Sequence, residues 1–306
     1  MRQRRFLQID VFSPTPFRGN PLAVVVDAAG MSDAEMQNFA RWTNLSETTF
    51  LLPPTNAEAD YQVRIFTPSN ELPFAGHPTL GTCHAFLATG GKPRTEGVVV
   101  QQCKKGLVNI RIDDSNKDAP LAFAAPSSTR SVGSEAELAP VLEALGLQRN
   151  EVAAHAKLNN GPLFWALLTH DPDRLLELTP NTSALYAMGV EVGVAALYPQ
   201  QNTALIGRAS REARAFNRSA EQSTPDLEVR VFFNATTTSV EDPITGSFNA
   251  SLAQWLIEEG HIRAPYLVAQ GTAIDRDGRV LITQDAASQV WVGGACHICI
   301  DGTVTL

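Results

Sequence analysis

The sequence predicts an α+β protein built as two pseudo-symmetric lobes. Three observations carry that expectation: short β-branched runs separated by turn residues, two apolar helices with glycine stops, and a strand-to-helix pattern that occurs twice. FLQIDVF, NPLAVVVD, TTFLLPP and YQVRIFT are each bounded by Pro, Gly or Asn, as strands joined by turns are. Among them MSDAEMQNFARWTN reads as an amphipathic surface helix. Ser32 is placed to cap it, Glu35 to complete a capping box, and Met36, Phe39 and Ala40 recur at helical spacing.

A second helix is expected to begin at Pro78 in GHPTLGTCHAFLATGG, because proline suits a first helical turn and Gly90-Gly91 supplies a stop. Leu80, Cys83, Phe86 and Leu87 leave it almost no polar face, so sheet should enclose it, with His84 a satisfied core histidine. A third helix is expected from Pro243 in DPITGSFNASLAQWLIEEG, with Leu252, Trp255 and Leu256 inward and a stop at Gly260. VRIF and VRVFF lie upstream of the two helices, and HPTLG at 77–81 overlays DPITG at 242–246. Self-similarity at this separation predicts a duplicated lobe rather than a short-period solenoid, with two lobes facing across a cleft. The Ser-, Pro- and Asp-rich stretch 113–134 is the candidate boundary, giving lobes of residues 1–118 and 119–306, the last strand being free to return to the first lobe. The polar stretch 217–226 is read as a loop within the second lobe.

A chain of 306 residues suits two domains, and 44% hydrophobic with 18% charged residues places it among globular proteins. The net charge of −8 is not organised around any basic stripe, which argues against nucleic acid as a partner. No run approaches the roughly 18 apolar residues of a membrane helix, and MRQRRFLQIDVF lacks the apolar centre of a signal peptide, so a cytoplasmic location is expected. The cysteines Cys83, Cys103, Cys296 and Cys299 are too few for a disulfide framework. Cys296-His297-Ile298-Cys299 has redox or zinc spacing but no second pair beside it, and VWVGGACHICIDGTVTL reads as a strand pair around a turn. No Walker loop, GxGxxG, HExxH or GxSxG is present.

GNPLAVV, NLSETTF, FTPSNELPFAGHPTLGT and EDPITGS occur in this order, with weaker similarity over essentially the whole chain. In these blocks the sequence resembles PhzF-like proteins, relatives of diaminopimelate epimerase. The resemblance implies two lobes, each a barrel-like sheet wrapped around a central helix, with the site between the helix N-termini. It also implies a cofactor-independent isomerase and a homodimer, with a small acidic substrate and neither metal nor cofactor. By this likeness Glu47 of NLSETTF is the general acid/base, His77 and Asp242 assist it, and Gly76, Gly246 and Ser247 bind substrate. Asn20 of GNPLAVV is a further binding candidate, although Gly-Asn-Pro also favours a plain turn. The epimerases use two opposed cysteines; here neither helix start offers one, and Cys83 lies almost two turns inside its helix. The family's named reaction is isomerisation of trans-2,3-dihydro-3-hydroxyanthranilate. Asp275 and Asp277 of QGTAIDRDGRV stand where the pattern leads one to expect Gly and Pro, which bears on the substrate more than on the chemistry.

The chemistry of these residues fits that role. A carboxylate that takes a proton from carbon and returns it needs a pKa raised by enclosure, and Glu47 adjoins the apolar run Phe50-Leu51-Leu52. Two helix N-termini meeting at a cleft offer unpaired N–H groups to a substrate carboxylate or enolate. Gly76 and Gly246 let either a ligand or another backbone come close. His77 and Asp242 each precede a proline, so helix capping is the competing role for both, the stronger for aspartate. Two rivals stay open: an epimerase on the same scaffold, and a small-molecule binding protein without turnover.

Overall fold

The protein is described from a computed structural model for residues 2–113, 115–116, 119–199, 224–235 and 237–306; most of the polar stretch 217–226 lies outside the described residues. The fold is mixed α/β, with a large sheet and few helices. Its strands are β1 (Gln3–Val11), β2 (Asn20–Val25), β3 (Glu47–Leu52), β4 (Tyr61–Phe66), β5 (Glu71–Leu72), β6 (Val98–Cys103), β7 (Gly106–Arg111), β8 (Leu121–Ala124), β9 (Thr129–Ser131), β10 (Val152–Asn159), β11 (Leu163–Thr169), β12 (Glu191–Leu197), β13 (Leu227–Asn234), β14 (Ser239–Asp242), β15 (Tyr266–Gln270), β16 (Gly278–Gln284), β17 (Val290–Gly294) and β18 (Cys296–Thr305). The helices are α1 (Asp33–Thr43), α2 (Gly76–Ala88), α3 (Glu135–Leu145), α4 (Pro172–Leu176), α5 (Thr182–Met188) and α6 (Gly246–Glu258). Among the described residues no helix is long and apolar enough to cross a membrane.

The pairing order repeats. In the first half β1 and β2 are antiparallel, β2 and β3 parallel, β3 and β4 antiparallel, β4 and β6 parallel, and β6, β7 and β8 antiparallel. β10 to β13 and β15 to β17 follow the same sequence of directions. The halves join where β8 pairs with β17. β18 returns to lie antiparallel to β1. Thus β17 and β18, expected to pair around a turn, each find other partners, because the chain leaves one half for the other between them. The stretch 113–134 is no bare linker either, since it contains β8, the strand that joins the halves, and β9.

Equivalent ion pairs mark the repeat. Arg64 of β4 holds Glu71 of β5 at 2.7 Å, and Arg230 of β13 holds Glu241 of β14 at 2.7 Å. Ile65 faces Leu72 across the first hairpin and Val231 faces Asp242 across the second. These registers align ELPFAG with EDPITG, so Pro243 corresponds to Pro73 and not to Pro78. The overlay of HPTLG on DPITG is therefore five residues out of step. α2 starts at Gly76, before Pro78, and α6 starts at Gly246, after Pro243. The N-caps are Ala75 and Thr245, neither with a side-chain cap bond, so His77 and Asp242 do not cap their helices.

α1 forms as its sequence dictates. Ser32 and Glu35 make the reciprocal capping box, and Met36, Phe39 and Ala40 are buried with Phe50 and Phe66. α2 and α6 lie in one contiguous core that runs through both halves, whereas α3 and α5 cover the outer face of β11 to β13 around Trp165 and Phe232. His84, in α2, is half-buried.

Candidate active site

The sheet brings five short stretches to one point: Asn20 where β2 opens, Glu47 where β3 opens, Asp242 at the end of β14, and the first residues of α2 and α6. The two helix starts touch. A Cβ on Gly76 would lie 2.7 Å from the Cα of Gly246, and one on Gly246 would lie 2.9 Å from the Cα of Gly76. The side-chain direction of each glycine is thus taken up by the opposing backbone, and what these residues leave for a ligand is their N–H groups. Both helices end here with unpaired N–H groups and positive dipole ends, since neither has a capping side chain.

Asn20 is fully buried and stitches the halves together. Its Nδ2 donates to Asp242 Oδ1 at 3.0 Å and to the carbonyl of Ile244 at 3.0 Å, and lies 3.3 Å from His77 Nδ1. The amide carries two hydrogens, which the oxygens of Asp242 and Ile244 take at the shorter distance, so the His77 ring stands beside this amide at the longest of the three contacts. Nε2 in turn lies 3.4 Å from Glu47 Oε2. Burial pushes the His77 pKa down to about 3, which keeps the ring neutral.

Three carboxyl groups share this neighbourhood, and burial raises all of them. Glu47 is held well above the usual carboxylate range by desolvation, then by the charges of Asp242 and Glu191. Asp242 is pushed up to about 6 by burial, against the hydrogen bonds from Thr245 and Asn20 that favour its anion. Glu191 is pushed up to about 7 by burial and by Asp242. Glu47 Oε2, His77 Nε2 and Asn20 Oδ1 are buried and make no hydrogen bond within the protein, the 3.4 Å approach of the first two being poorly aligned.

Supporting residues that carry no motif complete the site. Thr245 Oγ1 donates to Asp242 Oδ2 at 2.6 Å, and the buried Gln270 of β15 donates to Thr245 Oγ1 and to the carbonyl of Asp242. Gln101 of β6 plays a like part in the first half, donating to Thr79 in the first turn of α2. Asn160, just after β10, donates to the carbonyl of Ser247 at 2.7 Å. The loop with Asp275 and Asp277 is nearer the site than its sequence position suggests: Asp277 N–H donates to the carbonyl of Arg18 and Arg18 donates to the carbonyl of Asp275, two residues before Asn20. Among the described residues no group of three His, Cys, Asp or Glu side chains is arranged to hold a metal ion. Cys296 and Cys299 are free thiols on β18, both raised mainly by burial.

The profile of a family described as phenazine biosynthesis-like protein matches residues 9–302. The chain belongs to this family. Among its relatives is a protein from Schizosaccharomyces pombe named antisense-enhancing sequence 1, 33% identical and covering 99% of each chain. A trans-2,3-dihydro-3-hydroxyanthranilate isomerase of Pseudomonas fluorescens is 37% identical over 59% of this chain and 62% of its own. A PhzF-family crystal structure from Bacillus anthracis superposes with a TM-score of 0.77 at 23% identity, covering all of both chains, which establishes the fold. The protein is an enzyme of the isomerase class.

Proposed function

We propose that the protein is a cofactor-independent isomerase in which Glu47 moves a proton between two carbons of a small carboxylated ring compound resembling trans-2,3-dihydro-3-hydroxyanthranilate. The observation that carries this reading is the placement of Glu47: a carboxyl buried beside neutral His77, where two uncapped helix N-termini abut. Glu47 takes the proton of a C–H bond and the electron pair spreads into the conjugated acid. The same carboxyl then returns the proton to a second carbon on the same face. A raised pKa suits both halves of the transfer near neutral pH. The N–H groups at the starts of α2 and α6, with Ser247, hold the substrate carboxylate and its developing charge. His77 assists from beside Glu47, and Asp242, fixed by Asn20 and Thr245, orients an amino or hydroxyl group of the ligand.

In this reading the two copies of the strand pattern are two barrel-like lobes, divided near 118/119, and the enzyme acts as a homodimer in the cytoplasm. Sedimentation checks the dimer. The chemistry is tested by Glu47→Gln, nearly isosteric but unable to relay a proton. With trans-2,3-dihydro-3-hydroxyanthranilate in heavy water, turnover and deuterium uptake should fall about 10²- to 10⁴-fold while binding persists. A variant retaining more than about a tenth of the wild-type rate places the shuttle elsewhere, with Asp242 the next residue to replace.

A further inference from the structure

The repeated pairing order gives Glu191 the place in the second half that Glu47 holds in the first. Glu47 opens β3, which runs parallel to β2 and antiparallel to β4; Glu191 opens β12, which runs parallel to β11 and antiparallel to β13. The faces correspond as well. Two residues after Glu47, Thr49 accepts a hydrogen bond from Thr82 of α2 at 2.9 Å. Two residues after Glu191, a Cβ on Gly193 would lie 2.1 Å from the ring of Phe248 in α6. Side chains alternate along a strand, so each glutamate shares the face that meets its own half's central helix. Val192 and Val194 take the other face, in the outer core with α3 and α5. The exchange of halves that lays Gly76 against Gly246 also exchanges the two glutamates. Groups related in this way meet a ligand lying between the helix starts from opposite sides.

We infer that Glu191 is a second proton-handling residue of the cleft, facing the opposite side of the substrate from Glu47, so that the site serves epimerisation of a carboxylated carbon acid as well as a one-faced shift. This rests on the proton-transfer reading of Glu47. In the step, one ionised glutamate takes the proton of a C–H bond beside the carboxylate or conjugated with it through ring double bonds, and the electron pair enters that carboxylate as an enediolate, extended through the double bonds in the second case. The other, protonated glutamate returns its proton to the opposite face. The carbon is inverted, and the two glutamates end with exchanged protonation.

The surroundings of Glu191 suit that part. Asp242 on β14 and Glu47 on β3 are the acidic groups that feel or impose its charge. On its solvent side Glu191 borders a cleft of about 380 Å³, lined also by Leu163, Trp165 and Met188. Lys157 and Glu137 line the same cleft but pair with each other at 2.5 Å. The neutral His77 of α2 lies on the Glu47 side.

Two measurements on the full chain test the inference. The first needs no substrate: carbon-13 glutamate labels are titrated by NMR in wild type, Glu47→Gln and Glu191→Gln. Neutralising either glutamate should lower the other's midpoint by about half a pH unit or more, because a like charge is removed; midpoints that do not move overturn the inference. The second uses trans-2,3-dihydro-3-hydroxyanthranilate in heavy water. Wild type should label both faces of the exchanging carbon, and Glu191→Gln should lose the second label at least about tenfold while keeping the first. Wild type labelling one face only overturns the role of Glu191 and leaves that of Glu47 standing. Glu47→Gln at full rate removes the reading on which both rest. If the probe is not turned over, the titration alone decides, coupled midpoints supporting a shared cleft and independent ones refuting it.

Discussion

Replacing Gly76 by alanine sets a methyl group where the backbone of the opposite helix already lies. The new Cβ would stand 2.7 Å from the Cα and carbonyl carbon of Gly246 and 3.0 Å from Phe123 Cζ, against 3.4–4 Å for an ordinary contact. The main-chain neighbour has no rotamer to change, so the helix starts must part by roughly 0.7 Å, an overpacking that costs about 1–3 kcal/mol. Alanine's better helix propensity returns about 1 kcal/mol, leaving a net loss of about 0–2 kcal/mol. Activity should suffer more, since displacement on the order of 1 Å between groups that must act together costs up to about 10²-fold. Gly246→Ala meets its nearest backbone at 2.9 and 3.1 Å and should be the milder of the two. Gly302→Ala, with nothing within 4 Å of its Cβ, serves as the control. Urea unfolding midpoints and the deuterium-uptake rate of the four proteins form the assay. Gly76→Ala unfolding together with Gly302→Ala, at unchanged rate, would refute the abutting helix starts.

Arg230→Met leaves Glu241 buried without its partner and removes bonds to the carbonyls of Leu175 and Leu178, so a loss of about 3–5 kcal/mol in urea unfolding is expected; Arg64→Met, at the more exposed copy of the pair, should cost less. Glu191 is raised from 4.5 to about 7 on folding, so the folded chain holds that proton more tightly, and its stabilising share is complete below about pH 4.5 and lost as the pH rises through 7. Glu191→Gln should therefore gain in Tm on wild type between pH 5 and 8, and parallel Tm curves would contradict the shift. The double replacement Cys296→Ser with Cys299→Ser should leave deuterium uptake near wild type. All four thiols are raised by burial, so alkylation by iodoacetamide at pH 8 should be slow before unfolding and complete after it.

Local signals were legible wherever one short segment decides the outcome. The capping box of α1 needs only Ser32 and Glu35, and the apolar face of α2 needs only its own composition. The duplication was legible too, but its register was not. HPTLG and DPITG each contain a proline after a polar residue, and EDPITG lies further along the chain from VRVF than ELPFAG does from VRIF, so matching prolines chose the wrong pair. The equivalent bridges Arg64–Glu71 and Arg230–Glu241 identify the right one, and the spacing E-x-P-x-x-G was the signal that could have found it. Glu191 has no motif around it. Its place follows only once β12 is known to pair parallel to β11. Gln270 and Asn160 are hidden for the same reason, since each reaches the site across a pairing that joins distant parts of the chain.

The pairing of β1 with β18 sets the order in which this molecule can be made. Gln3 faces Thr305 and Val11 faces Cys296, so β1 has one edge that is filled by β18, a strand synthesised long after it. While the ribosome works through the second half, β1 can pair with β2 but carries an open row of N–H and C=O groups on its other side, the kind of edge that recruits other chains. Closing it joins residues almost three hundred positions apart, a long-range step that comes late and slowly. A nascent chain halted before β18 is therefore the species on which chaperones should act, and residues 1–118 expressed alone should aggregate until a β18 peptide is supplied in trans.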